Sequence, residues 1–204
     1  MNEQQRASME DIYKRTLALR SEMVELLRSN SFAVNPAEYA LTESGNPVYL
    51  DSLFGTMKDL VVIHNMGRSC RYCTLWADGL NGLLNHLQSR TAIVLVNRDP
   101  DDVQIEFAQQ RGWGFRVLRD TDGHFTKQMG FAVEADGDVS LWPGYSTFHR
   151  NETGTITRVG FDMFGPGDMY MPVFPMFELL EHGLHGWEPQ YQYNKPLSIT
   201  LPEG

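Results

Sequence analysis

The chain has 204 residues, 17 of them basic and 26 acidic, for a net charge of −9 at neutral pH. That length fits one domain with a genuine core, and 42% hydrophobic with 21% charged residues is a globular composition, not a disordered or fibrous one. The acidic balance argues against nucleic acid as a partner and against a polybasic membrane patch, and no apolar run approaches the roughly 20 residues of a spanning helix.

From the amino end, Met1-Asn2-Glu3-Gln4-Gln5-Arg6 leads into a charged segment without an apolar signal core, so a cytoplasmic protein is expected. Ser8 to about Arg28 reads as an amphipathic helix, with Ile12, Leu19, Met23, Leu26 and Leu27 at helical spacing and Ser8 and Asp11 as a loose cap. Past the turn-like Asn35-Pro36 comes an irregular lead-in, with a turn at Glu43-Ser44-Gly45-Asn46-Pro47 and a short strand at Val48-Tyr49-Leu50. Leu60-Val61-Val62-Ile63-His64 is a continuous apolar run, the pattern of a strand buried on both faces.

Cys70 and Cys73 follow this strand, and Thr74 to Arg90 carries Leu75, Leu80, Leu83, Leu84 and Leu87 at helical spacing. Thr91 to Val96 is a second buried strand, Asp99-Pro100 opens a helix to about Arg111, and Phe115 to Leu118 is a third strand. A helical turn or two is expected from Asp122 to Met129, ending at Gly130. Strands are expected at Phe131 to Ala135, Val139 to Trp142 and Tyr145 to His149. Asn151-Glu152-Thr153-Gly154 turns the chain into Thr155 to Val159. The stretch from Phe161 to Gly167 is turn-rich, Val173 to His182 forms a closing helix, and the tail from Trp187 is polar. The organisation predicted is a helical extension over 1–38, a main domain over 39–183 and a tail over 184–204. Alternating strands and helices, then a hairpin and helix, give an α/β fold: a central mixed β-sheet flanked by helices, with an extra amino-terminal helix.

Only two cysteines are present, so a disulfide-stapled scaffold is excluded. A Cys-x-x-Cys between a buried strand and the following helix is a redox arrangement of the thioredoxin-like kind. The helix start lowers a thiol's pKa, so Cys70 reads as the nucleophile and Cys73 as the resolving thiol, with Arg68 and Arg71 adding positive potential. Zinc needs four ligands as a rule and no second cysteine pair exists, so no metal is expected. No phosphate loop is legible either, and the chemistry needs no bound cofactor, only an external thiol or reductase.

Cys70-x-x-Cys73-x-x-Trp76-Ala77-Asp78-Gly79-x-x-Gly82, with Gly112-Trp113-Gly114-Phe115 and Tyr145-Ser146-Thr147, resembles the signature of a thioredoxin-like family catalogued as domain of unknown function 899. The resemblance spans about Leu41 to Val159 and implies a thioredoxin-like fold, without an assigned reaction. The region is also broadly similar to peroxiredoxins, but Gly67 and Ile63 stand where that superfamily has its Thr or Ser and its Pro. Against thioredoxins proper, Ser69 replaces a Trp, and Pro143 is the candidate for the cis-proline that faces the cysteines.

Trp76, Tyr145 and Thr147 are the candidate substrate-binding residues beside the cysteines. His64 reads as a core or rim histidine, Asp78 as a hydrogen-bonding residue, and His182 with His185 as solvated. Met163, Met169, Met171 and Met176, with Phe161, Phe164, Phe174 and Phe177, read as core or as the contact of a homo-oligomer. Two functions remain open at this point. One is a thiol–disulfide oxidoreductase acting on a protein disulfide or a small thiol or oxidant. The other is a catalytically silent binding protein of the same fold.

Overall fold

The structure is a computed structural model and describes residues 2–135 and 137–193. Helix α1 (Glu3–Ser29) begins earlier than Ser8 because Asn2 and Gln5 form a reciprocal cap: the Asn2 side chain accepts from the Gln5 N–H at 2.8 Å and Gln5 Oε1 accepts from the Asn2 N–H at 2.9 Å. Ser8 lies inside the helix and donates its hydroxyl to the Gln4 carbonyl. Short strands β1 (Phe32–Val34), β2 (Leu41–Glu43) and β3 (Asn46–Val48) follow. The expected strand at Val48 to Leu50 falls instead on β3 and a 3-10 turn, Leu50–Phe54, whose Leu50, Leu53 and Phe54 are all buried. Ser44 and Gly45 both take positive φ, 53° and 77°, which closes β2 onto β3 through a two-residue turn.

The central elements are β4 (Asp59–His64), α2 (Arg71–Gly82), α3 (Leu84–Gln88), β5 (Ala92–Asn97), α4 (Asp101–Arg111) and β6 (Arg116–Asp120). They are followed by α5 (His124–Gln128), the hairpin β7 (Ala132–Ala135) and β8 (Asp138–Leu141), β9 (Gly144–Arg150), β10 (Ile156–Met163) and α6 (Val173–Glu178). Eight strands form one mixed sheet in the order β1-β10-β9-β4-β5-β6-β2-β3. β4, β5 and β6 run parallel, whereas β9 lies antiparallel to β4. The Leu60 to His64 run is thus central. Strand β1, from the segment set apart as an extension, joins this sheet beside β10.

Alternation along the strands sends Leu60, Val62, Val94, Val96, Leu118 and Phe148 to one face, under the Leu50–Phe54 turn and α5. Ile63, Ile93 and Leu95 go to the other, under α2 and the carboxy-terminal segment. Three expectations differ in extent. The helix expected over Thr74 to Arg90 breaks at Leu83 (φ −101°, ψ 4°), just after Gly82, and Leu84 and Leu87 of α3 then turn onto the face that holds Trp76. Phe161 to Met163, expected in a turn-rich stretch, extends β10 against β9. The closing helix stops at Glu178; Leu179 and Leu180 beyond it are exposed, and among the described residues nothing holds another turn.

Candidate active site

The loop from β4 to α2 is tied down residue by residue. The Asn65 N–H donates to the Val96 carbonyl (3.0 Å), extending the ladder to β5, and Asn65 Oδ1 accepts from the Gly67 N–H (2.7 Å). Gly67 has φ +99°, and a side chain there would meet the Asp99 carboxylate at 2.8 Å. That carboxylate accepts from the Arg68 N–H (2.7 Å), so the close approach serves to anchor the loop.

Cys70 is the N-cap of α2 (φ −94°, ψ 103°), and its Sγ accepts from the Cys73 N–H at 3.1 Å. The two cysteines are joined as a disulfide, with Cα atoms 5.3 Å apart. Cys70 is half-buried, while Cys73 is only 2% exposed. The first sulfur therefore reaches solvent at a helix end rich in unpaired N–H groups, and the second is covered. Of the flanking cations, Arg71 pairs with Glu188 at 2.9 Å, and both side chains are about half exposed. Glu188 lies 117 residues away in sequence, and no spacing argument could have found it.

Trp76 lies one turn beyond Cys73 and is buried, stacked on Phe164 with centroids 5.4 Å apart, and its Nε1–H has no partner among the described residues. Tyr145 faces the same cluster: its hydroxyl donates to the Tyr170 oxygen (3.0 Å), which in turn donates to Asp162 (2.6 Å). Burial raises the Tyr145 pKa, so the phenol stays protonated. Trp76 and Tyr145 are thus brought together through Phe164 behind the cysteine helix. Thr147 is not. It pairs with Val61, three residues before the end of β4 and so about 10 Å back along the strand, and lines a groove with Asp59 and Arg90.

His64 lies on the opposite sheet face from α2. It stacks on Phe131 at 3.9 Å, and its Nε2 is 3.0 Å from the Ser146 hydroxyl. Burial pushes its pKa down to about 3, so it is a neutral core residue with the sheet between it and the cysteines. The peptide bond before Pro143 is trans, so it does not take the cis form expected of a thioredoxin-type proline. His182 and His185 are exposed, and among the described residues no group of three His, Cys, Asp or Glu side chains could hold a metal ion. Phe164, Met171 and Phe174 of the aromatic and methionine segment are core over Trp76, while Met169 and Met176 are exposed.

The Trp76-Ala77-Asp78-Gly79 and Gly112-Trp113-Gly114-Phe115 segments meet in space. Asp78 accepts from Arg111 Nε (3.1 Å) and Nη2 and from Trp113 Nε1 (2.8 Å), and Arg111 Nη1 donates to the Tyr191 carbonyl (2.6 Å). Three residues on, Asn81 donates to the Gly112 carbonyl and accepts from the Gly114 N–H. Asp78 is thus an anchor that holds the cysteine helix to the loop after α4.

A CxxC disulfide capping the helix that leaves a central parallel strand, on this mixed sheet, defines a thioredoxin-like protein. Solved structures share the fold. A cysteine-to-serine mutant of peroxiredoxin Q from Xanthomonas campestris is 22% identical, with TM-score 0.51, and the match covers 66% of this chain and 87% of that one. A cysteine-to-serine mutant of PrxQ from Xylella fastidiosa is 17% identical, with TM-score 0.52, covering 65% and 84%. Reduced Prx3 from Vibrio vulnificus is 14% identical, with TM-score 0.51, covering 68% and 88%. No curated protein matches the chain. The family described as bacterial protein of unknown function (DUF899) matches residues 31–194, and the chain belongs to it.

Proposed function

We propose that the protein is a thiol–disulfide oxidoreductase in which Cys70 is the nucleophile and Cys73 the resolving thiol. What carries the reading is the asymmetry of the pair: a partly exposed Cys70 at the helix cap, disulfide-bonded to a covered Cys73. In the reduced state the Cys70 thiolate attacks one sulfur of a substrate disulfide, forming a mixed disulfide and releasing one substrate thiolate. Cys73 then attacks Cys70 Sγ; the internal disulfide closes, the Cys73 proton passes to the departing thiolate, and two electrons have moved to substrate. An external thiol or reductase restores the dithiol. The substrate class is a protein disulfide or a small disulfide-forming oxidant, and a cytoplasmic setting supplies the reductant. Trp76 and Tyr145 support α2 from behind rather than touching substrate, since their rings lie in the cluster below it.

The test is thiol labelling and disulfide-reductase turnover. Cys70→Ser is expected to abolish rapid alkylation near neutral pH and turnover, and Cys73→Ser to trap a mixed disulfide on Cys70. Faster labelling of Cys73 would reverse the assignment. Labelling of both thiols at an ordinary rate would leave a catalytically silent binding protein.

A further inference from the structure

Helix α1 carries an apolar stripe that the described residues leave largely uncovered. Met9, Ile12, Thr16, Leu19, Met23 and Leu26 alternate by three and four residues, the a and d spacing of a helix–helix seam. Ile12, Leu19 and Leu26, all at d, are 58%, 64% and 73% exposed, and no residue of α1 is buried. A 27-residue helix of this kind, about 40 Å long, draws little stability from propensity alone and rests on packing of its apolar face. Beside the stripe runs a groove of about 360 Å³ between Leu19 and Met23 on α1 and Met163, Met169 and Tyr170 on the body of the fold, with Met169 exposed at its rim.

We propose that α1 pairs antiparallel with α1 of a second copy of this chain, seated along that groove. The charges beside the seam select both the occupant and the direction. With the helices antiparallel and Thr16 opposite Leu19 of the partner subunit, Ile12 meets Met23 of the partner subunit and Met9 meets Leu26 of the partner subunit. The flanking position g of one helix then faces g of the other, which sets Arg15 against Glu22 of the partner subunit, twice by symmetry. On the other flank Tyr13 meets Arg20 of the partner subunit, a cation over an aromatic ring. The parallel alternative sets Arg15 against Arg20 of the partner subunit, two like charges, and leaves Glu22 facing the apolar Leu27. The stripe is complementary to itself in one direction only. The family match begins at residue 31, so this surface lies outside the shared fold.

The experiment is light scattering of the full chain at tens of micromolar, where a mass near twice 23.3 kDa is expected. Leu19→Lys is expected to give the monomer mass with unchanged far-ultraviolet circular dichroism from the sheet and an intact Cys70–Cys73 disulfide. Arg15→Glu is expected to raise the dimer dissociation constant at least about tenfold, because it turns two attractions into two repulsions. The swap Arg15→Glu with Glu22→Arg restores it. A monomeric wild type overturns the proposal. So does a tighter dimer in Arg15→Glu, which would mean parallel helices. Dissociation by Met176→Lys but not by Leu19→Lys would move the interface elsewhere and overturn it too.

Discussion

Removing the Asp78 carboxylate tests whether the cysteine helix is held by the contacts described. In Asp78→Ala, Arg111 keeps only the Tyr191 carbonyl, and the Trp113 N–H loses its acceptor. The Asp78 and Arg111 side chains are 32% and 22% exposed, so the stranded guanidinium is partly rehydrated and a fully buried cost does not apply. A lost charge-assisted bond costs about 1.5–3 kcal/mol and an unsatisfied donor about 1–3 kcal/mol; with solvent access the sum comes to about 2–4 kcal/mol. Asp78→Asn keeps an oxygen for the Trp113 N–H and for one guanidinium contact, and is expected to lose only about 1–1.5 kcal/mol. Urea denaturation followed by tryptophan fluorescence reads both values. Equal losses in the two variants, or a loss under about 0.5 kcal/mol in Asp78→Ala, would show that the ion pair is a solvated surface contact of the ordinary kind.

Other perturbations discriminate further features. In the folded chain His64 stays neutral down to about pH 3, whereas in the unfolded chain it protonates below about 6.5, so the unfolded state holds the extra proton between those values. Stability is therefore expected to fall as pH drops through that window, by about 1.4 kcal/mol per pH unit from this group, and to fall less steeply in His64→Gln when both are titrated with denaturant. A Cβ at Gly144 overlaps the Asp162 backbone carbonyl and the Phe131 ring, so Gly144→Ala should cost about 3 kcal/mol in thermal or urea unfolding. Gly79→Ala meets only the far end of the unbranched Met171 side chain and should stay within about 1 kcal/mol of wild type. Glu188→Gln releases Arg71 beside Cys70 and should speed Cys70 alkylation by roughly twofold at low ionic strength, with the gain vanishing in high salt.

The buried central strand and the placement of the cysteines were legible because they depend on continuous apolar runs and adjacent residues: Leu60 to His64, then Cys70 and Cys73. The helix start at Asn2 was missed because Asn-x-x-Gln is a quieter cap than a serine next to a charged run. The helix break at Leu83 was missed because tertiary packing overrides periodicity there, while the leucine spacing continues without a fault. Thr147 illustrates the other limit. Sequence proximity to Tyr145 put it near the site, but two residues along a strand carry it back along β4, toward Asp59. The Arg71–Glu188 and Asp78–Arg111 pairs join positions far apart in the chain, and no local pattern announces them.

The shape of the main sheet has a consequence for how copies of the chain can meet. Its outermost strands, β1 and β3, are three residues each, and β3 contains Pro47, which has no N–H to offer a neighbour. A ribbon of free backbone donors and acceptors is the template on which strands from another molecule add and fibrils grow, and here each rim presents barely one repeat of it. Crowding or partial heating should therefore drive this protein toward side-chain-mediated clumping before any ordered growth through its rims.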